Sequence, residues 1–242
     1  MRLTVRLFAS LRERAGRECL VLENVPAESD VAAAKRLLEA RHPELGSLQA
    51  VRGVLGTSYV PDATRIREGE ELALLPPVSG GSGARENDVS GSDDEALARG
   101  VFELSAEPLD AAAAQRRVEH PSCGAVVVFK GNARDTNRAR DVVRLEYEAF
   151  PAMAGSEMAH VFEECSARIS GGDPRHALRM LVLHRTGSVA VGEPAVVIAV
   201  ASPHRDAAFQ ATRFLIDELK ARVPLWKKEV YADGHHWIGE RS

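Results

Sequence analysis

Residues 82–100 divide this chain. The stretch is dominated by Ser, Gly, Asn and Asp, with five acids, two arginines and almost no large apolar side chain. It cannot bury enough surface to join a core, and it reads as a flexible acidic linker, disordered to about Asp93. On either side the apolar pattern alternates between a strand period and a helix period. The 242 residues therefore predict two α/β units, 1–81 and 101–242.

In the first unit Leu3, Val5 and Leu7 alternate with Arg2, Thr4 and Arg6, the pattern of a half-buried strand. A second strand is predicted near Glu18–Leu22, after a loop at Ala15-Gly16. Ser29-Asp30 offers a helix N-cap. Val31, Ala34, Leu37, Leu38 and Arg41 follow helical spacing until Pro43. Short strands near 51–54 and 71–75 complete a small mixed sheet wrapped on one helix. Pro76-Pro77 stop the last strand, and the unit ends at Gly80-Gly81. A Gly-Gly tail is the most slender end a polypeptide can have, and without a Cβ it can enter a narrow site. The same residues also fit a flexible Gly-Ser linker, Gly80-Gly81-Ser82-Gly83.

The second unit predicts a helix over 109–118, strands over 124–129 and 143–148, and a long amphipathic helix over 153–169. Strands over 177–184 and 195–202 follow, largely continuous in apolar character. A helix over 206–223 carries Ala208, Ala211, Leu215 and Leu219 on one face and stops at Pro224.

The net charge of −4 excludes the basic footprint of a general nucleic-acid binder. No apolar run is long enough to suggest a membrane span, and the N-terminus alternates where a signal peptide would carry an apolar core. Cys19, Cys123 and Cys165 are odd in number and lack metal or redox spacing, which fits a reducing cytoplasm.

Three segments could carry chemistry. Ser202-Pro203-His204-Arg205 joins a strand to a helix, with Ser202 as the expected cap and Pro203 at the first helical position. His204 and Arg205 then sit where backbone N–H groups already favour an anion; a solvated basic turn explains them equally well. Lys220 and Lys227 lie on either side of Pro224, one in the last turn of a helix and one beyond it. They can converge on a site or simply complement the helix dipole. A partly desolvated lysine would serve as nucleophile or acid. Arg134 follows a buried strand and Gly131, and offers a bidentate fork for phosphate. Weaker candidates are Arg241 and His184-Arg185-Thr186-Gly187, which also reads as a strand end and turn. No P-loop, dinucleotide fingerprint, Ser-His-Asp arrangement or zinc pattern is present. Any chemistry falls to lysine, arginine and histidine acting on an anion.

Both halves resemble known proteins. Residues 1–81 resemble the small subunit of molybdopterin synthase, through Leu7-Phe8-Ala9-Ser10-Leu11-Arg12-Glu13-Arg14-Ala15-Gly16 and the ending Leu74-Leu75-Pro76-Pro77-Val78-Ser79-Gly80-Gly81. Residues 101–242 resemble its large catalytic subunit, through Gly124 to Arg134, His184 to Gly187, Ser202 to Arg205 and Leu219 to Lys227. The resemblance implies an α/β (α+β) chain, with a ubiquitin-like β-grasp sulfur carrier followed by a larger α/β hammerhead-type domain. It implies sulfur transfer from a thiocarboxylate on Gly81 to cyclic pyranopterin monophosphate (precursor Z), which installs the dithiolene of molybdopterin. By position Lys220 and Lys227 match the catalytic lysines. Arg134, His204 and Arg205 match the substrate's anion pocket, and Arg241 matches an arginine lent by a neighbouring large subunit. The implied partners are an ATP-dependent enzyme that adenylates Gly81, a sulfur donor protein, and a second copy, as a homodimer or, after cleavage, a heterotetramer. Nucleic acid, membrane, metal and cofactor are not implied. Because Ser82 follows Gly81, the terminus has to be freed by cleavage. Competing readings are a non-catalytic scaffold and a sulfur carrier for some other acceptor.

Overall fold

The computed structural model describes residues 1–77, 93–137, 140–232 and 234–238, with residues 236–238 described by backbone alone. Gly80, Gly81, residues 82–92 of the linker and Arg241 lie outside the described residues.

The first unit is built from β1 (Leu3–Leu7), α1 (Ala9–Ala15), β2 (Cys19–Leu22), α2 (Val31–Arg41), β3 (Arg52–Leu55), β4 (Ser58–Val60) and β5 (Glu71–Leu75). Its sheet runs β2-β1-β5-β3-β4, with β1 and β5 parallel. Asp30 caps α2 by accepting the Ala33 N–H at 2.7 Å. Val31, Ala34 and Leu38 of α2 pack on Leu3, Leu7, Leu72 and Leu74. This is the mixed sheet on one helix that the sequence predicts. The structure adds α1, for which no element was expected, and it ends at the expected loop of Ala15-Gly16, with Gly16 at φ 64°.

β5 is buried from Leu72 to Leu75. A strand on a one-sided sheet would alternate; a continuous run means that both faces are covered. Leu72 and Leu74 face α2, whereas Ala73 and Leu75 face the second unit.

That unit begins earlier than the linker reading allows. Residues Asp93–Arg99 form α3, and Leu97, 3% exposed, anchors it in the apolar core. Gly100 closes α3 at φ 99°, and a Cβ there would lie 2.2 Å from the Phe162 ring, so glycine is demanded by both conformation and space. The remaining elements are β6 (Val101–Ser105), α4 (Ala111–Val118), β7 (Ala125–Asn132), β8 (Thr136–Asn137), β9 (Arg140–Ala149), α5 (Pro151–Cys165), β10 (Arg179–Arg185), β11 (Gly187–Ala190), β12 (Pro194–Ser202), α6 (Arg205–Arg222), β13 (Leu225–Tyr231) and β14 (Gly234–Ile238).

One sheet runs β6-β10-β12-β7; the other runs β11-β9-β13-β14, with β8 paired to β9. Helices α5 and α6 cover one face of the first sheet, through Met158, Phe162, Ala211 and Leu215 against Val182 and Ile198. Leu97 and Val118 cover the other against Leu181 and Val197. Burial on both faces explains the unbroken apolar run of β12.

The expected cap of α6 is corrected. Ser202 is still in the sheet, paired with Ala125, so its backbone cannot turn into the helix. The cap position falls to His204, which makes no side-chain capping bond, and the helix starts at Arg205.

Candidate functional site

The first unit docks on the second through an aromatic stack. Phe8, between β1 and α1, lies 4.8 Å from Phe150 and 5.4 Å from Trp226, ring centre to ring centre. Val54, Ala73, Leu75 and Met153 complete this apolar contact. Around it Arg12 pairs with Glu148 at 2.8 Å, Lys228 with Glu13 at 3.3 Å, and His235 with Glu13. Burial pushes the Glu148 carboxyl up, against the opposing pull of the Ala9 N–H and Arg12. The Trp226 indole N–H donates to the Pro76 carbonyl at 3.2 Å. The stem of the Gly-Gly tail is therefore fixed beside Trp226, one residue from Lys227.

Lys227 and its neighbours on β13 follow strand alternation. Trp226 points to the docked unit, and Leu225, Lys227 and Glu229 share the opposite face. Lys227 lies across the ladder from Tyr147 of β9. The end of α6 brings Lys220 to the same place. Two compartments meet there, and Lys220, Lys227, Tyr147 and Val196 line both. The larger, about 390 Å³, is polar and adds Arg134, Asn132, Thr136, Asn137 and Glu229. The smaller, about 280 Å³, is mainly apolar and adds His184, Ile216, Leu219 and Leu225. A third cleft, about 670 Å³, lies between α1 and β9 at the domain contact. Four acids face three bases there, and Tyr147 is the residue it shares with the pocket of Lys220 and Lys227.

The lysines are held differently. Lys227 pairs with Glu229 at 2.9 Å, and Glu229 is 3% exposed. Asn137 donates to Glu229 at 2.7 Å, and the Tyr231 hydroxyl donates as well. Burial pushes the Glu229 carboxyl up, but the bonds from Tyr231, Asn137 and Lys227 outweigh it and hold it below the usual range. Lys227 is thus a fixed cation. Lys220 and Arg134 are exposed, and neither has an ion-pair partner among the described residues. One carboxylate against three cations leaves a positive pocket suited to an anion. Among the described residues no group of His, Cys, Asp and Glu could hold a metal ion.

Known proteins resemble each of the two units. The MoaE protein family matches residues 104–222, and the ThiS family matches residues 5–81. The molybdopterin synthase catalytic subunit of Culex quinquefasciatus is 46% identical over 133 residues, covering 55% of this chain and 82% of that protein. Catalytic subunit 1 of Mycobacterium tuberculosis is 40% identical over 138 residues, covering 57% of this chain and 90% of that protein. The chain belongs to the molybdopterin synthase family. A crystal structure of molybdopterin synthase from Staphylococcus aureus superposes on 57% of this chain and 97% of its own, with a TM-score of 0.52 and 35% identity. Here a ThiS-family domain and a MoaE domain share one polypeptide, so the chain is an enzyme of molybdenum cofactor biosynthesis.

Within one synthase chain, Lys220, Lys227 and Arg134 converge, and His204 and Arg205 stay apart from them. Arg205 opens α6 and Lys220 lies in its last turn, about 22 Å away by helical rise. Tyr147, Asn137 and Glu229 were not among the residues that the sequence singled out, and His184 was a weak candidate that read equally well as a strand end. Glu229 was legible: Leu225, Lys227 and Glu229 alternate with Trp226 and Lys228, so an acid two residues from a lysine on a strand shares its face.

Proposed function

We propose that this chain is a sulfurtransferase that carries its own sulfur donor. Gly81, freed by cleavage before Ser82, bears a thiocarboxylate and delivers sulfur to precursor Z at the two lysines. The observation that carries this reading is the position of Trp226: it binds the carbonyl of Pro76 on one side of β13, and Lys227 borders the positive pocket on the other. The four residues from Val78 to Gly81 reach at most about 14 Å when extended, a length suited to passing from Trp226 to Lys220. The carrier thus serves the catalytic domain to which it is fused.

The polar compartment suits the pterin phosphate, on Arg134 and Lys227. Lys227, fixed by Glu229, also stabilises the Gly81 carboxylate that forms when water cleaves the bond between the glycine carbonyl and the transferred sulfur. Lys220, unpaired, is the residue for nucleophilic or acid work. His204, Arg205 and Arg241 complete the anion site from a second copy, because the length of α6 keeps the first two from Lys220 of their own chain. An internal peptide carbonyl cannot be adenylated as a carboxylate. Cleavage after Gly81 therefore precedes activation by the ATP-dependent enzyme and loading by a sulfur donor, and the acidic linker is suited to proteolysis.

Lys220→Ala tests the assignment. With thiocarboxylated carrier and pterin supplied, turnover falls at least about a hundredfold, while unfolding stays within about 0.5 kcal/mol of wild type, because the side chain is exposed. Unchanged turnover would mean that the pocket does not perform the transfer.

A further inference from the structure

One wall of the apolar compartment has no role in the transfer as described. His184 lies near the end of β10 and is 5% exposed. Its neighbour Arg185 points to the other side of the strand, where it donates to the Ser188 carbonyl at 2.7 Å and pairs with Glu193 at 3.4 Å. The His184 Nδ1 atom lies 2.7 Å from the Arg185 carbonyl oxygen. A carbonyl only accepts, so Nδ1 carries the hydrogen and Nε2 carries the lone pair. Tyr147 packs edge-on against the ring, with centroids 4.9 Å apart, and fixes its plane.

Nε2 makes no hydrogen bond among the described residues, and Lys220 makes none either. Both side chains line the compartment of about 280 Å³, whose other walls include Val196, Ile216, Leu219 and Leu225. Its second cation, Lys227, is already committed to Glu229. A buried lone-pair nitrogen and the uncommitted ammonium of an exposed lysine on the same cleft are complementary hydrogen-bond partners.

We propose that His184 is a positioning residue for Lys220: Nε2 accepts a hydrogen bond from the lysine amine and holds it at the boundary between the compartments. The inference rests on Lys220 being the catalytic lysine. The groups facing the imidazole are Tyr147 from β9, Lys220 from α6, and Lys227 from β13 with its counter-ion Glu229. Burial pushes the imidazole down to about 4, with the Arg185 carbonyl opposing. The ring therefore stays neutral and can accept throughout the physiological range. A charged imidazole would repel both lysines.

The test compares His184→Asn with His184→Gln in the whole chain. Asparagine retains a donor for the Arg185 carbonyl and lacks an acceptor at the Nε2 position. Glutamine places an amide oxygen near Nε2. The first readout needs no turnover: the rate at which trinitrobenzenesulfonate labels Lys220, mapped by peptide mass, with Lys227 as internal control. The bond restrains the amine, so His184→Asn labels at Lys220 at least threefold faster, Lys227 is unchanged, and His184→Gln is close to wild type. The second readout is turnover with thiocarboxylated carrier and pterin. His184→Asn lowers kcat at least tenfold with KM within twofold, and His184→Gln restores most of it. Unaltered Lys220 labelling in both variants overturns the proposal, as does an equal loss in both, which marks a purely structural histidine. Faster labelling at Lys220 in a chain that shows no synthase turnover upholds the His184 contact and refutes the functional reading instead.

Discussion

The site depends on how single side chains are paired. Lys227 and Lys220 are the same residue type seven positions apart, yet β13 supplies Glu229 to the first, and the second has no ion-pair partner among the described residues. Pairing makes one a fixed charge and leaves the other available. His184 is tuned by burial in the same pocket, with consequences for stability. Its imidazole is pushed down to about 4 in the fold, against about 6.5 in the unfolded chain. Between these values the unfolded chain binds the extra proton, so stability rises with pH across this window and is lost as pH falls through it. From pH 7 to pH 5 the loss from this group is about 2 kcal/mol. Urea unfolding at the two pH values, on wild type and His184→Gln, measures it. The variant should show a smaller pH dependence by about that amount, and equal dependence in both would mean that His184 is not held neutral by the fold.

Among the elements, β5 connects folding with docking, because Leu72 and Leu74 serve its own core and Ala73 and Leu75 serve the interface. Phe8 is the other anchor, stacked on Phe150 and Trp226. Phe8→Ala removes about 3 kcal/mol of packing, most of it from the contact between the units. Calorimetry should then resolve the two units as separate transitions; an unchanged thermogram would show that the stack does not couple them. The main helices and the long strands were legible in the sequence because each covers its own core and its period is clean. Three missed elements each have a physical reason. α1 has seven residues, too short for a period. β13 reads Leu-Trp-Lys-Lys-Glu-Val-Tyr, with three charged residues in a row, because one face lines a polar pocket and the other packs Trp226 and Lys228 against the neighbouring unit. α3 carries three acids in its first turn, so by composition it blends into the linker, and only Leu97 marks it as part of the core. The convergence of Lys220 and Lys227 was open in the sequence, because Pro224 hides the direction in which the chain returns. The pairing of β13 with β9 decides it.

For the whole molecule, fusion docks the ThiS-family unit beside the pocket of Lys220 and Lys227, and α6 separates Lys220 from Arg205 by its own length. If the anion site is shared between two copies, two inactive chains can repair each other. Mixing Lys220→Ala with Arg205→Ala chains and allowing subunits to exchange should restore about a quarter of wild-type turnover, because half the dimers are mixed and each has one intact site of two. No recovery would place Arg205 outside the site. Intact mass spectrometry of the protein from its native host tests the proposed sulfur relay. The expected result is a fragment ending at Gly81 with sulfur in place of one carboxyl oxygen, and its conversion to the plain carboxylate when precursor Z is added. Full-length chain alone, forming molybdopterin with no Gly81 terminus, would contradict it.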